Sequence, residues 1–223
     1  MSIEKITHAL QAIGLTVMGA FHPDPADKVP PCANGAPART LVLAGNVGPA
    51  MWQAFSSAGI EGPHPLDQWL SHHLPVLATE LGATPLLISQ GPPYLPFQRW
   101  ARRAGPYYSS PLGILIHPVF GLWHGFRGAL AFPEQLTLPP RDDRPGPCAS
   151  CREKPCLDAC PVGAFTSDGY HVAACIDHLH APQGHDCLDR GCRARRACPV
   201  GRDYIYKPAQ ARHHMTAFLR ANG

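Results

Sequence analysis

The sequence predicts an α/β (α+β) fold followed by a small cysteine-rich module. Short apolar runs alternate with helix-like stretches along the first part of the chain. Eight of the nine cysteines then fall between Cys148 and Cys198, while Cys32 stands alone upstream. Hydrophobic residues make up 45% of the chain, and no apolar stretch reaches the roughly 20 residues of a membrane span. We therefore expect a soluble globular protein that does not contact a membrane.

The first part is predicted to be a sandwich of strands and helices. It opens with a helix, because apolar residues recur at helical spacing at Ile3, Ile6, Leu10 and Ile13. Apolar runs that suit buried strands occupy residues 15–21, 40–46, 84–90 and 112–118. Helical periodicity covers residues 48–59 and 65–82, with an offset at Pro75. Residues 125–132 are predicted to form a strand that returns against the preceding one.

The cysteine content and the charge of the chain predict where the protein is located and what kind of partner it binds. The N-terminal stretch has no small-residue cleavage site, so it is predicted to be a folded helix and not a signal peptide. Cysteines without an export signal favour a cytoplasmic, metal-binding protein, because the cytosol keeps thiols reduced. The net charge of +3 gives no general case for nucleic acid. We interpret the local group of arginines between Arg190 and Arg202 as offsetting cluster charge or docking an acidic electron donor, with phosphate or nucleic acid as the alternative.

The cysteine spacing predicts two [4Fe–4S] clusters. Residues 148–161 read CASCREKPCLDACP, which is a C-x2-C-x4-C triplet followed by a Cys-Pro pair. In bacterial ferredoxins the Cys-Pro that closes each run ligates the other cluster. The tails ACPVGAF and ACPVGRD nearly repeat, as expected of a duplicated module. We assign one cluster to Cys148, Cys151, Cys156 and Cys198, and the other to Cys160, Cys175, Cys187 and Cys192.

Two structural zinc sites are the alternative for these cysteines, because four-thiolate zinc also uses C-x2-C pairs. Zinc sites tend to combine two such pairs, whereas this module has one pair and two Cys-Pro closures. The histidines at positions 171, 178, 180 and 185 are interpreted as surface residues, because eight thiolates already complete two clusters. Cys32 is interpreted as an ordinary free thiol.

Residues 102–132, RRAGPYYSSPLGILIHPVFGLWHGFRGALAF, resemble two related groups of cobalamin proteins. CblC-type cobalamin-processing proteins share an apolar strand followed by the frame found here at His117-Pro118, Phe120-Gly121, Trp123 and Arg127-Gly128. In epoxyqueuosine reductases a similar segment leads directly into two [4Fe–4S] clusters, and the order of parts here matches that second group. The resemblance covers roughly residues 40–202. CblC-type proteins lack the clusters, and epoxyqueuosine reductases are considerably longer, so a tRNA substrate is not expected.

The resemblance implies a flavin-nitroreductase-like sandwich that holds a base-off corrinoid beside a small bacterial-ferredoxin-like module. It implies a cobalamin-binding domain at residues 1–145, a two-cluster module at 146–205 and a C-terminal helix at 206–223 that packs back. The candidate cofactor-binding residues are Tyr107, Tyr108, His117, Phe120, Gly121, Trp123, Arg127 and Gly128. For His117 a structural role is preferred over cobalt ligation. Without the resemblance, the alternative is a hairpin whose aromatic residues are plain core.

The sequence thus favours an oxidoreductase. Electrons from an external low-potential donor, a ferredoxin, flavodoxin or reductase, are expected to pass through the two clusters to the bound corrinoid. The corrinoid then loses its upper ligand or drives a reduction. One alternative is a ferredoxin-type electron carrier whose N-terminal domain docks a partner or binds flavin. Another is a cobalamin-binding or trafficking protein without turnover. No catalytic residue is assigned.

Overall fold

A computed structural model describes all residues from Met1 to Gly223. In chain order its helices and strands are α1 (Ile3–Ala12), β1 (Thr16–Phe21), β2 (Thr40–Val47), α2 (Ala50–Ser57), α3 (Pro65–Glu80), β3 (Thr84–Leu87), α4 (Phe97–Ala104), β4 (Tyr108–Ser109), β5 (Leu115–Ile116), β6 (His124–Phe132), α5 (Pro147–Ser150), α6 (Pro155–Asp158), β7 (Phe165–Thr166), β8 (Gly169–Tyr170), α7 (Val172–His180), α8 (His185–Arg190), α9 (Arg193–Ala197) and α10 (Pro208–Asn222). Short 3-10 helices lie at Pro25–Asp27, Pro182–Gly184 and Arg202–Tyr204. None of the helices combines the length and apolar character that crossing a membrane requires.

The chain folds into two compact units. The first unit comprises residues 1–106 and 124–143, and the second comprises residues 107–123 and 144–223. The chain passes into the second unit for the last time at residue 144, beside the domain boundary predicted at 145. Residues 107–123, which the prediction placed in the N-terminal domain, instead belong to the unit that carries the cysteine module.

The first unit is built on a four-stranded antiparallel sheet of order β1-β2-β6-β3. β2 pairs with β6 along its whole length, from Thr40 opposite Phe132 to Val47 opposite His124. One hydrophobic core joins this sheet to α1, α2 and α3, and its fully buried members include Ile6, Leu10, Val42, Met51, Leu74 and Leu130. Burial of such a core is the main favourable term in folding. The mixed α/β class predicted from the sequence is confirmed.

Two predicted strands differ from those observed. The run at 112–118 forms only the two-residue strand β5, which pairs with β4 and not with β6. Gly113 at φ 74° turns the chain on one side of β5, and Pro118 lacks an N–H on the other. The predicted strand 84–90 ends at Leu87, where the Gln90 side chain accepts a hydrogen bond from the Leu87 N–H at 3.1 Å. β6 exists as predicted, but its partners are β2 and β3.

The second unit consists mostly of short helices and turns around the cysteines. α6 packs against α9, and α10 packs against α8 and α7. A small core of Leu112, Ile116, Leu122 and Ala194 joins residues 107–123 to the cysteine-bearing segments. The apolar run at 112–118 therefore contributes to this core and not to the main sheet.

Candidate functional site

Four cysteines form what we call the first cysteine set, namely Cys148, Cys151, Cys156 and Cys198. Burial raises the pKa of the Cys148 thiol, and the charges of the other three cysteines raise it further. Burial likewise raises the pKa of Cys156, with added repulsion from Cys198 and Cys151. Repulsion between thiolates weakens with separation. The structure therefore brings these four sulfurs together although Cys198 is remote from the others in sequence.

The second cysteine set comprises Cys160, Cys175, Cys187 and Cys192. Burial raises the pKa of Cys175, and the charges of Cys160 and Cys187 add to the rise. Burial is also the main cause of the raised pKa of Cys192, which Cys187 and Cys175 increase further. The cysteine charges that raise the pKa of Cys148, Cys156, Cys175, Cys192 and Cys198 come from cysteines of the same set. The membership of both sets coincides with the assignment made from spacing, and their ligand role stays a prediction.

Backbone N–H groups point at the sulfurs of both sets. The Ala164 N–H donates to the Cys160 sulfur at 3.3 Å. Backbone hydrogen bonds also lower the pKa of Cys156, Cys187, Cys192 and Cys198, opposing the larger effect of burial. Such donors stabilise a thiolate over a thiol. The backbone donors therefore offset part of the effect of burial on these thiols.

The cysteines do not form a compact site for a single metal ion. No three His, Cys, Asp or Glu side chains lie around one position where they could hold a metal ion. In a four-thiolate zinc site each sulfur lies about 2.3 Å from the same ion. In a [4Fe–4S] cluster four thiolates hold one larger group, so its ligands are spread farther apart.

The turn that carries Phe120 and Gly121 contacts the loop after Cys198, although the two are remote in sequence. Gly121 (φ 57°) and Gly201 (φ 74°) lie where the two backbones meet. A Cβ on Gly121 would stand 2.0 Å from the Val200 carbonyl oxygen, and one on Gly201 would stand 2.3 Å from the Phe120 carbonyl carbon. Glycine tolerates both the positive φ and the close approach. The Phe120-Gly121 pair is thereby seated on the turn that follows Cys198-Pro199.

His117 has a turn-stabilising role in the second unit. Its Nδ1 accepts hydrogen bonds from the backbone N–H groups of Val119 at 3.1 Å and Phe120 at 3.3 Å. Its ring stacks on Phe120 with centroids 4.2 Å apart, and the Tyr107 ring lies 5.0 Å away. Tyr204 covers Phe120 edge-on at 5.3 Å. These contacts agree with the structural role preferred for His117.

Trp123 is buried, and its Nε1–H has no acceptor in the structure. The Arg195 guanidinium lies 4.6 Å from the centroid of the Trp123 ring and 4.6 Å from that of Tyr206. Arg195 also donates to the Leu122 carbonyl, with Nε 3.0 Å away. A buried donor left without an acceptor costs about 1–3 kcal/mol. Trp123 is thus the candidate residue with an unmet hydrogen-bonding capacity.

The remaining candidate residues have local partners. Tyr108 donates its hydroxyl proton to the Arg144 carbonyl at 2.7 Å, and its ring lies under Gly146. Arg127 and Gly128 belong to the first unit, unlike the other six. Arg127 Nε donates to Asn46 Oδ1 at 2.8 Å across the β2–β6 pair. A Cβ on Gly128 would stand 2.4 Å from Leu74, so the absence of a side chain there makes room for α3.

Two residues of the second unit were not predicted from the sequence. Tyr170 forms a side-chain hydrogen bond with Cys175, and its ring stacks on Phe165 with centroids 4.7 Å apart. Burial raises the pKa of Tyr170, so the hydroxyl keeps its proton and acts as the donor. Asp186 pairs with Arg190 and Arg193 at 3.6 Å each, and also with Arg196. No spacing rule links either residue to the cysteines in the sequence.

Comparison with known proteins reveals similarity at the level of structure. No protein-family model and no curated protein matches the sequence. The structure of epoxyqueuosine reductase from Streptococcus thermophilus is 16% identical with a TM-score of 0.53, and the match covers 95% of this chain and 70% of that one. An epoxyqueuosine reductase solved with an epoxyqueuosine-modified tRNA-Tyr stem loop is 17% identical with a TM-score of 0.51, over 93% and 69%.

The B12-trafficking protein CblC from C. elegans is 15% identical with a TM-score of 0.50. The match covers 97% of this chain and 96% of that one. The fold of this chain is therefore related to those of both groups.

Proposed function

We propose that this protein is an iron–sulfur oxidoreductase that passes electrons from an external low-potential donor, through two [4Fe–4S] clusters, to a base-off corrinoid. The observation that carries the proposal is the division of eight cysteines into two sets of four. Each set takes three cysteines from one half of the module and a Cys-Pro cysteine from the other half, as in two-cluster ferredoxins.

The chemistry of the cysteine loops fits such clusters. Backbone N–H groups are directed at sulfurs of both sets. Hydrogen bonds to sulfur and limited solvent access are two means by which proteins set cluster potentials. The buried Cys187 and Cys198 place one low-exposure sulfur in each set.

Two observations support a corrinoid as the acceptor. The fold is related to that of a B12-trafficking protein over nearly the whole of both chains. In addition, the buried Trp123 N–H lacks an acceptor, which an amide oxygen of a corrinoid side chain would supply. When bound, the corrinoid supplies a metal that accepts electrons and exchanges its upper ligand. On this proposal the second unit holds the ligand by aromatic contact and by the N–H donor of Trp123.

A second candidate is a cobalamin-trafficking protein that carries redox clusters without catalysing turnover. It is favoured by the same likeness to CblC, which covers 96% of that chain. Turnover in the presence of a strong reductant separates the two candidates. Only the oxidoreductase converts more than one equivalent of corrinoid per protein molecule.

The cluster part of the proposal is tested by counting iron and sulfide in anaerobically purified protein. We expect about eight of each per chain. Cys198→Ser and Cys160→Ser, one from each cysteine set, should each impair a different cluster, as seen in the electron paramagnetic resonance spectrum. Cys32→Ser is the matched control and should retain all the iron. Zinc in place of iron, or equal loss from the control, would overturn this part.

The corrinoid part is tested by mixing the same protein with hydroxocobalamin and recording visible spectra before and after low-potential reduction. A base-off shift, followed by the band of the reduced corrinoid, is the expected result. Eight irons with an unchanged corrinoid spectrum would refute the corrinoid as acceptor and direct attention to flavin or a docked partner.

A further inference from the structure

A cleft of about 420 Å³ lies between the two cysteine loops of the second unit. One wall is formed by Asp158, Ala159 and Pro161, and the other by Arg193, Arg196 and Ala197 on α9. We call these six residues the arginine cleft. Cys160 of the second set lies between Ala159 and Pro161 in the sequence, and Cys192 and Cys198 flank α9. The cleft is thus bordered by ligand candidates of both cysteine sets.

The arginine cleft has an ordered positive charge. Arg190, Arg193 and Arg196 share one carboxylate, that of Asp186, so most of their positive charge remains uncompensated. Arg196 is also fixed by donating its Nε–H to the Gly191 carbonyl at 3.1 Å. The side chains of Arg190 and Arg193 are 66% and 53% exposed, so their charges face solvent.

An apolar surface adjoins these cations. Pro161 lines the cleft, and the next residue, Val162, is exposed to 40% of its surface. A small apolar contact surrounded by charge is typical of transient electron-transfer complexes, which bury little area and use charge to steer encounter.

From this juxtaposition we propose that the arginine cleft is the docking surface for an acidic one-electron carrier protein. The proposal rests on the function proposed above and identifies where its electron donor binds. One electron leaves the reduced iron or flavin of the carrier and reduces a cluster on this chain, with no bond made or broken. The position beside both cysteine loops favours a carrier over nucleic acid, since electron transfer needs proximity to the clusters and phosphate binding does not.

The test uses the cluster-loaded protein and a reduced plant-type [2Fe–2S] ferredoxin, whose surface is acidic, in anaerobic stopped flow. Arg193→Glu should lower the second-order rate constant of cluster reduction by roughly tenfold or more at low ionic strength. The difference should shrink as salt is raised, because salt screens exposed charges. Arg39→Glu, an exposed arginine of the first unit, makes the same change in net charge and should alter the rate by less than twofold.

Reduction by methyl viologen radical, which needs no docking surface, should be equal in all variants. If Arg193→Glu loses iron, Arg190→Glu replaces it, because Arg190 lies on α8 and is the more exposed side chain. Unchanged ferredoxin kinetics in the variant would overturn the proposal. Loss of affinity for an RNA stem loop with unchanged kinetics would likewise overturn it and identify a nucleic-acid surface. Absence of iron in the wild-type protein would instead refute the proposed function.

Discussion

Two glycines of the repeated ACPVG motif provide a matched test of how residues 107–123 pack. Gly163 and Gly201 occupy equivalent positions and have φ of 56° and 74°. A Cβ on Gly163 would meet nothing within 4 Å, whereas one on Gly201 would stand 2.3 Å from the Phe120 backbone. Gly163→Ala should therefore cost only the left-handed penalty of about 1–2 kcal/mol. Gly201→Ala should add about 1–3 kcal/mol for displacing packed atoms.

The difference is measured by guanidinium unfolding of the two variants, with iron content recorded for each. We expect Gly201→Ala to unfold at lower denaturant and to lose more iron, because the displaced turn follows directly after Cys198-Pro199. Gly121→Ala, on the other side of the same contact, should behave like Gly201→Ala. Equal destabilisation by Gly163→Ala and Gly201→Ala would refute the contact between Phe120-Gly121 and Val200-Gly201.

Three further changes test other parts of the structure. Tyr170→Phe keeps the ring but removes the donor to Cys175. If the chain holds the two proposed clusters, the potential of one of them, measured by redox titration, should fall by about 40 mV while the other stays constant. A shift in both potentials would contradict the assignment. Burial and the charge of His72 lower the pKa of His73 from 6.5. Below pH 6.5 the unfolded chain therefore binds a proton at His73 more readily than the folded protein does, and the folded protein loses stability as the pH falls. His73→Gln should therefore weaken the drop in unfolding free energy between pH 7.5 and 5.5, and an unchanged drop would contradict this. Gly128→Ala forces a Cβ against Leu74 and should destabilise by about 1–3 kcal/mol in thermal unfolding, whereas wild-type stability would show that α3 can shift.

The main sheet was predictable because its strands are continuous apolar runs. β1 and β2 begin and end within one residue of the predictions, because their apolar runs have few polar interruptions. α4 was missed because its arginines obscure the pattern. Its buried residues nevertheless recur at helical spacing, at Phe97, Trp100, Ala101 and Ala104. The structure explains one of those arginines, because Arg103 pairs with the buried Asp27 at 3.2 Å.

The run at 112–118 was predicted to be a strand because it is apolar, as are β1 and β2. Only Leu115–Ile116 of this run forms a strand. Apolar character predicts burial but not the partner. Leu112 and Ile116 are buried against Leu122 and Ala194 of the second unit, where turns at Gly113 and Pro118 leave room for only two paired residues. Membership in a second unit depends on contacts remote in sequence, which periodicity does not contain.

In the candidate site, too, spacing in the sequence predicts some features, and contacts in the folded chain determine the others. The spacing predicts the same two cysteine sets that the structure groups together, because the repeated ACPVG tails resemble those of a two-cluster ferredoxin. Their role as cluster ligands stays a prediction. The role of Tyr170 could not be predicted from spacing. Its hydroxyl reaches Cys175 because Tyr170 lies on the β7–β8 hairpin, and no spacing rule describes that geometry. Asp186 was missed because a single carboxylate among several arginines resembles an ordinary surface residue.

The placement of residues 107–123 changes how the resemblance to cobalamin proteins is to be understood. His117, Phe120 and Gly121 are each accounted for by packing within the second unit, through the 117–121 turn and its seat on Val200-Gly201. Only Trp123 retains a buried donor that packing leaves unmet. If this segment binds a corrinoid, the same backbone contact links it to the Cys198 loop, so a change in cluster occupancy should alter the environment of Trp123. Tryptophan fluorescence that responds to corrinoid in the cluster-loaded protein, but not in Gly201→Ala, is the expected sign of that link. An identical response in both proteins would separate the ligand from the cysteine module.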